Sequence, residues 1–185
     1  MGKGLVDTLK REFAIDVTWY GYELRPEMPA QGFALTRRFP PEQLQKIYEN
    51  LRRMGAPFGI VFGNVTVTPN THLALSAAEY ARDAGRFDSF HERVFRAYFT
   101  DCSDIGSLDV VLGLAESEGL DPDDLKKALQ TDRYAARLKE ARDEAEAYKV
   151  SAVPTFIIGG IHKIVGAQSI DSFRKLLISA SASKG

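Results

Sequence analysis

Apolar residues recur at helical spacing through most of the chain, and the pattern shortens to that of strands only near its two ends. Leu5, Val6, Leu9 and Phe13 form one helical stripe with Lys3, Lys10, Arg11 and Glu12 outside it, which predicts a helix over residues 3–13. No Ser, Thr, Asp or Asn stands before its first turn to cap it. Ile15, Val17 and Trp19 then alternate with Thr18, Tyr20 and Tyr22, so residues 15–24 read as a strand, stopped by Arg25-Pro26. A proline-rich loop over residues 27–41 leads through Pro40-Pro41 into a helix with Leu44, Ile47, Tyr48, Leu51 and Met54 on its buried side. Residues 55–69 are irregular or briefly extended.

The middle of the chain reads as helix after helix. Asn70 or Thr71 caps a helix reaching Ala84, which Gly85 ends; residues 87–99 form an aromatic helix with Phe87, Val94 and Phe95 turned to the core. Ser107 caps residues 108–117 and Gly119 terminates them, after which Asp121-Pro122 supplies a cap and a first-turn proline to a helix ending near Gln130. Asp132 is expected to cap a long helix through Tyr148. Proline lacks the N–H that a sheet ladder needs, so Pro154 opens a strand, and Gly159-Gly160 splits the apolar runs 156–158 and 161–165 as a tight hairpin turn demands. Ser169 caps a final helix carrying Ile170, Phe173, Leu176 and Leu177, and the small polar tail 179–185 is expected to fray.

The run Ala152-Val153-Pro154-Thr155-Phe156, the hairpin ending in Gly166-Ala167-Gln168 and the terminal helix resemble the second half of a thioredoxin fold, and specifically that of DsbA-like oxidoreductases of the FrnE type. The resemblance extends over residues 17–32 and from Asn70-Thr71-His72 to Phe99, and so over most of the chain. It implies an α/β, thioredoxin-like fold with a large helical insertion in one domain over 1–185, the thioredoxin-like parts covering about 1–25 and 149–180 and the insertion about 41–148. It also implies a cis Val153-Pro154 bond in a loop facing the start of the first helix, with Val153 and Pro154 as the substrate-binding residues. In the family a central strand and a Cys-x-x-Cys pair precede that helix. Residues 1–13 open inside the helix instead, so the expectation is that such residues lie upstream of Met1 in the functional protein.

Composition narrows the function. At 44% hydrophobic, 185 residues suffice to bury a core. With 24 basic against 25 acidic residues, the balance of −1 creates no field drawing the chain to nucleic acid or to an anionic membrane. No apolar run approaches a membrane span and no secretory signal is visible, which makes a cytoplasmic address the expectation. One cysteine excludes an internal disulfide and any thiolate-based zinc site, and no residue set calls for a metal or a cofactor.

Thiol–disulfide exchange needs an activated thiolate and a second cysteine to resolve the mixed disulfide. Cys102 has no second cysteine, and Asp101 and Asp104 flank it with charge that repels a thiolate, so it reads as an unactivated loop thiol; the alternative is a sensor or intermolecular-disulfide cysteine. His91 reads as a half-buried structural histidine, with His72 and His162 facing solvent. The chain resembles a protein disulfide oxidoreductase that is redox-inactive as written. Two alternatives stand beside this reading. One is an enzyme similar to glutathione-dependent 2-hydroxychromene-2-carboxylate isomerase, whose usual Asp-Arg pair after the hairpin is here Gln168-Ser169; the other is a non-catalytic module that binds a peptide or thiol substrate, or pairs as a homodimer.

Overall fold

The computed structural model describes residues 1–182, with side chains for residues 1–180. Eight α-helices, two single-turn 3-10 helices and four short strands occur among them. The chain forms two compact units, residues 1–20 with 143–185, and residues 21–142.

The first unit holds helix α1 (Gly2–Glu12), strands β3 (Thr155–Ile158) and β4 (His162–Val165), and helix α8 (Ile170–Ala182). As the uncapped sequence predicts, no side chain caps α1. Strands β3 and β4 pair antiparallel, Thr155 opposite Val165 and Ile158 opposite His162. Their turn places Gly159 at φ 61° and Gly160 at φ 77°, left-handed values that carry no Cβ penalty only in glycine. One face of the hairpin packs on α8, Phe156 meeting Phe173 edge-on at 4.8 Å between ring centres. Leu5, Val6, Leu9, Ile164 and Phe173 are the unit's buried apolar residues. Ser169 Oγ accepts from Ser172 N at 3.3 Å and so caps α8.

Two expectations fail here, the first at a segment that runs on into residues 21–24 of the other unit. Residues 15–24 are not a strand: they join no ladder, although Ile15, Val17 and Trp19 are indeed less exposed than Asp16, Thr18 and Tyr20. Alternation reports which side chains are covered, whereas a strand also needs a neighbouring backbone to bond to. The tail expected to fray over residues 179–185 is helical as far as Ala182, and residues 183–185 lie outside the described residues.

The second unit is helical. Strand β1 (Phe33–Ala34) pairs antiparallel with β2 (Val67–Thr68), and helix α2 (Pro41–Gly55) lies between them in sequence, with proline at its first position. Helices α3 (His72–Asp83), α4 (Phe87–Phe99), α5 (Leu108–Ser117) and α6 (Pro122–Gln130) follow, and α7 (Ala135–Ala147) leads out of it. The core gathers Ala74, Ala77 and Ala81 of α3, Phe90 and Ala97 of α4, Val111 and Leu114 of α5, and Leu125 of α6. A row of alanines lets helix backbones approach closely, and the fully buried Phe90 fills the space they leave. Phe95 and Met54, expected to be buried, are 40% and 41% exposed. In α4 the inward face instead runs through Phe90, Val94 and Ala97, positions that the all-aromatic pattern does not separate from their neighbours.

Helices α3 and α5 end at Gly85 and Gly119 as the sequence predicts, each glycine left-handed. The N–H of the glycine and that of the following residue turn back onto the last helical carbonyls, as Arg86 N does onto Ala81 O at 2.7 Å. Asp132 does not cap α7. At φ 49° it closes α6 in the same way, Asp132 N donating to Leu129 O and Arg133 N to Ala128 O, and α7 begins only at Ala135. Asp is among the few residues that tolerate this conformation, so its cap signal reads equally well from either side.

Candidate functional site

The loop before β3 is held from both sides. Thr155 Oγ1 donates to Ala152 O at 2.7 Å, and Gly166 N donates to Pro154 O at 2.7 Å, which ties the loop to the exit of β4. Upstream, α7 ends at Lys149, left-handed at φ 52°, with Lys149 N bonded to Glu146 O and Val150 N to Ala145 O. Lys163 Nζ of β4 reaches the carbonyls of Tyr148 and Lys149 at 3.1 and 3.2 Å. A charged donor just past the last turn of α7 suits the negative end of the helix dipole.

The Val153–Pro154 peptide is cis. The Pro154 ring lies against the first turn of α1, where a Cβ on Gly2 would stand 3.1 Å from Pro154 Cγ and 3.3 Å from Phe156 Cζ. Glycine at position 2 is therefore what lets the helix start come this close. Val153 is 50% exposed, and among the described residues its backbone N–H and C=O make no hydrogen bond. An apolar side chain and a free donor–acceptor pair thus stand at the surface on a pinned loop.

The other candidates sit apart in the chain. Cys102, in the unit 21–142, is exposed and left-handed at φ 57°, its Sγ 3.8 Å from Thr100 O. His91 lies between Phe87 and Phe95, ring centres at 5.2 and 4.4 Å, a half-buried aromatic stack. His162 is half-buried on β4.

His72, expected to face solvent, keeps 38% of its side chain exposed but is engaged at both ring nitrogens. Nδ1 lies 2.9 Å from Glu23 Oε1 and Nε2 lies 3.1 Å from Asp132 Oδ1, while Arg142 donates to Glu23 Oε2 at 2.8 Å. His72 N also donates to Asn70 Oδ1 at 2.9 Å, so Asn70 satisfies the first N–H of α3, while Thr71 at the N-cap position makes no side-chain capping bond. Burial is the largest single influence on the ring and works against its charge, but the hydrogen bonds and charges of Glu23 and Asp132 together outweigh it and raise the pKa above 6.5. Both ring nitrogens face carboxylate oxygens, so only the imidazolium can donate to both. Residues 23, 72, 132 and 142 are too widely spaced for any local pattern to announce the cluster.

Comparison with known proteins places this geometry. The chain is 32% identical over 183 residues to the uncharacterised protein YwbO of Bacillus subtilis, covering 96% of this chain and 88% of that protein. Its structure superposes on a probable DsbA oxidoreductase from Streptomyces coelicolor with a TM-score of 0.85 at 22% identity, over 98% of this chain and 81% of the other. A 2-hydroxychromene-2-carboxylate isomerase superposes with a TM-score of 0.73 at 16% identity, over 97% and 86% of the two chains. Both superpositions speak for the fold. The family model that matches residues 2–178 is that of the DSBA-like thioredoxin domain, and this chain belongs to that family.

Proposed function

We propose that residues 151–154 are the docking point for an extended peptide or thiol substrate in this DsbA-like chain, whose residues 1–185 carry a single cysteine and so no dithiol. The observation that carries the reading is Val153, half exposed, with both backbone groups unbonded on a loop fixed by Thr155, Gly166 and α1. An extended chain laid beside such a residue gains main-chain hydrogen bonds, and the pinned loop loses little freedom on binding.

The superposition on the isomerase supports a weaker second reading. Gln168 Nε2 donates to Val165 O at 3.0 Å and Ser169 caps α8, so the positions of that enzyme's usual Asp-Arg pair carry local structural duties here.

The test is a titration of the isotope-labelled chain with an unstructured peptide and with the same peptide N-methylated at single positions. The expected result is amide shifts confined to residues 151–155 and affinity reduced about tenfold by methylation at one position, the loss of about one hydrogen bond. Equal affinity for every methylated peptide, or shifts elsewhere, refutes the docking point. Insulin reduction by a dithiol donor should run no faster with the chain than without it.

A further inference from the structure

Two successive turns shape a cleft within the unit 21–142. Met28 N donates to Arg25 O at 3.0 Å and Gly32 N to Pro29 O at 2.8 Å. Asn70 Nδ2 anchors the first turn through Met28 O at 2.6 Å. The second turn closes on Gly32 at φ 70°, where a Cβ would stand 2.5 Å from Thr68 O, so that Phe33 can pair with Thr68 in the β1–β2 ladder. The space between the turns is about 290 Å³, lined by Arg25, Glu27, Met28, Pro29, Phe33 and Arg38.

Its lining surface is almost wholly apolar, and Arg25, Glu27 and Arg38 are among the residues that contribute to it. Met28, Pro29 and Phe33 supply hydrophobic surface, while among the described residues neither Arg25 nor Arg38 makes an ion pair; Arg38 has only the Phe39 ring, 5.3 Å from its guanidinium carbon. We propose that this cleft binds a small amphipathic carboxylate, its carboxyl group against Arg25 and Arg38 and its apolar body on Met28, Pro29 and Phe33. A guanidinium matches a carboxylate with two parallel hydrogen bonds, and a concave apolar surround strengthens them by thinning the solvent. Glu27, also in the lining, adds a negative charge to the neighbourhood that disfavours a second one on the ligand, which favours a monoanion over phosphate. The volume stands at the small end of ligand sites, which run from roughly 300 Å³ upward, and suits one or two amino-acid residues. The site lies in a different unit from Val153, so it stands or falls independently of the peptide-docking reading.

The probes are 3-phenylpropionate, N-acetyl-glycyl-phenylalanine, the C-terminal amide of the latter, and inorganic phosphate, each titrated into the isotope-labelled full chain. Both acids should shift amides within residues 25–38, and the peptide amide should bind about tenfold more weakly than the peptide acid. Arg25→Gln and Arg38→Gln should each weaken the acids about tenfold without changing the amide. Both arginines are exposed, so these variants keep the fold, which an unchanged melting curve checks. Preference for the peptide acid identifies a peptide C-terminus as the source, and preference for phenylpropionate identifies a free acid. Equal binding of acid and amide, indifference to both substitutions, shifts produced by phosphate alone, or no binding at all overturns the proposal.

Discussion

Replacing His72 by glutamine tests the cluster that joins residues 23, 72, 132 and 142. Glutamine is neutral and both its donors sit on one nitrogen, whereas the two carboxylates face different nitrogens of the ring, so the variant keeps at most one of the two contacts at 2.9 and 3.1 Å. The Glu23 side chain is 13% exposed, and a hydrogen bond to a charged group in such a place contributes about 1.5 to 3 kcal/mol. Asp132 is 54% exposed and His72 itself 38%, so solvent screening reduces the second contact to less than about 1 kcal/mol. The variant should therefore lose about 2 kcal/mol at pH 6, or about 4 to 8 °C in melting temperature for a chain of this length. The pH dependence gives the stricter test. The folded pKa of His72 is raised above 6.5, so its contribution is fully present below pH 6.5 and disappears as pH rises through the folded value. Urea unfolding of both proteins from pH 5.5 to 9 should show the gap between them narrowing as the pH rises, with the His72 ring titrating above 6.5 by NMR. A gap that stays constant with pH, or one that widens, refutes the reasoning.

Two further outcomes are expected. Arg174 grips Glu12 with two hydrogen bonds of 2.8 Å and Asp171 with one of 2.7 Å; its bond to Glu12 is the largest cause holding that carboxyl below 4.5. Arg174→Ala should return the Glu12 titration, followed by carbon NMR, toward the ordinary range, and the stability that this pair contributes above pH 4.5 should disappear as pH falls through the folded value. Phe90→Ala empties the middle of the second unit's core, where the ring is fully buried, and should cost about 3 to 5 kcal/mol by denaturant unfolding; a loss under about 1 kcal/mol would mean that the alanine-lined helices collapse around the void.

Local chemistry accounts for what was legible along the chain. Helices α4, α5 and α6 begin and end where aromatic periodicity, Gly119 and the Asp121-Pro122 pair place them, because a helix satisfies its backbone within itself. The hairpin was legible for a similar reason, since Gly159 and Gly160 dictate a turn within four residues. The stripe of α1 and its missing cap were legible in the same way, from a short stretch of periodic residues.

Tertiary structure decided the rest, wherever a residue's role depends on a partner far along the chain. Alternation at residues 15–20 marks covered and uncovered side chains, but no neighbouring strand pairs with it, and a ladder is a property of two segments. Asp132 carries the signal of a helix start and serves as a helix end, its carboxylate turned to a histidine sixty positions away. His72 looked like a surface residue beside a cap, and only folding sets it between Glu23 and Asp132. The cleft lined by Arg25 and Arg38 draws on contacts far along the chain, Asn70 Nδ2 donating to Met28 O and Gly32 lying close against Thr68. Sequence by itself determined the helices, the hairpin and the family; which charged groups meet was left to tertiary structure, because electrostatic pairing depends on distance in space and leaves no period in the chain.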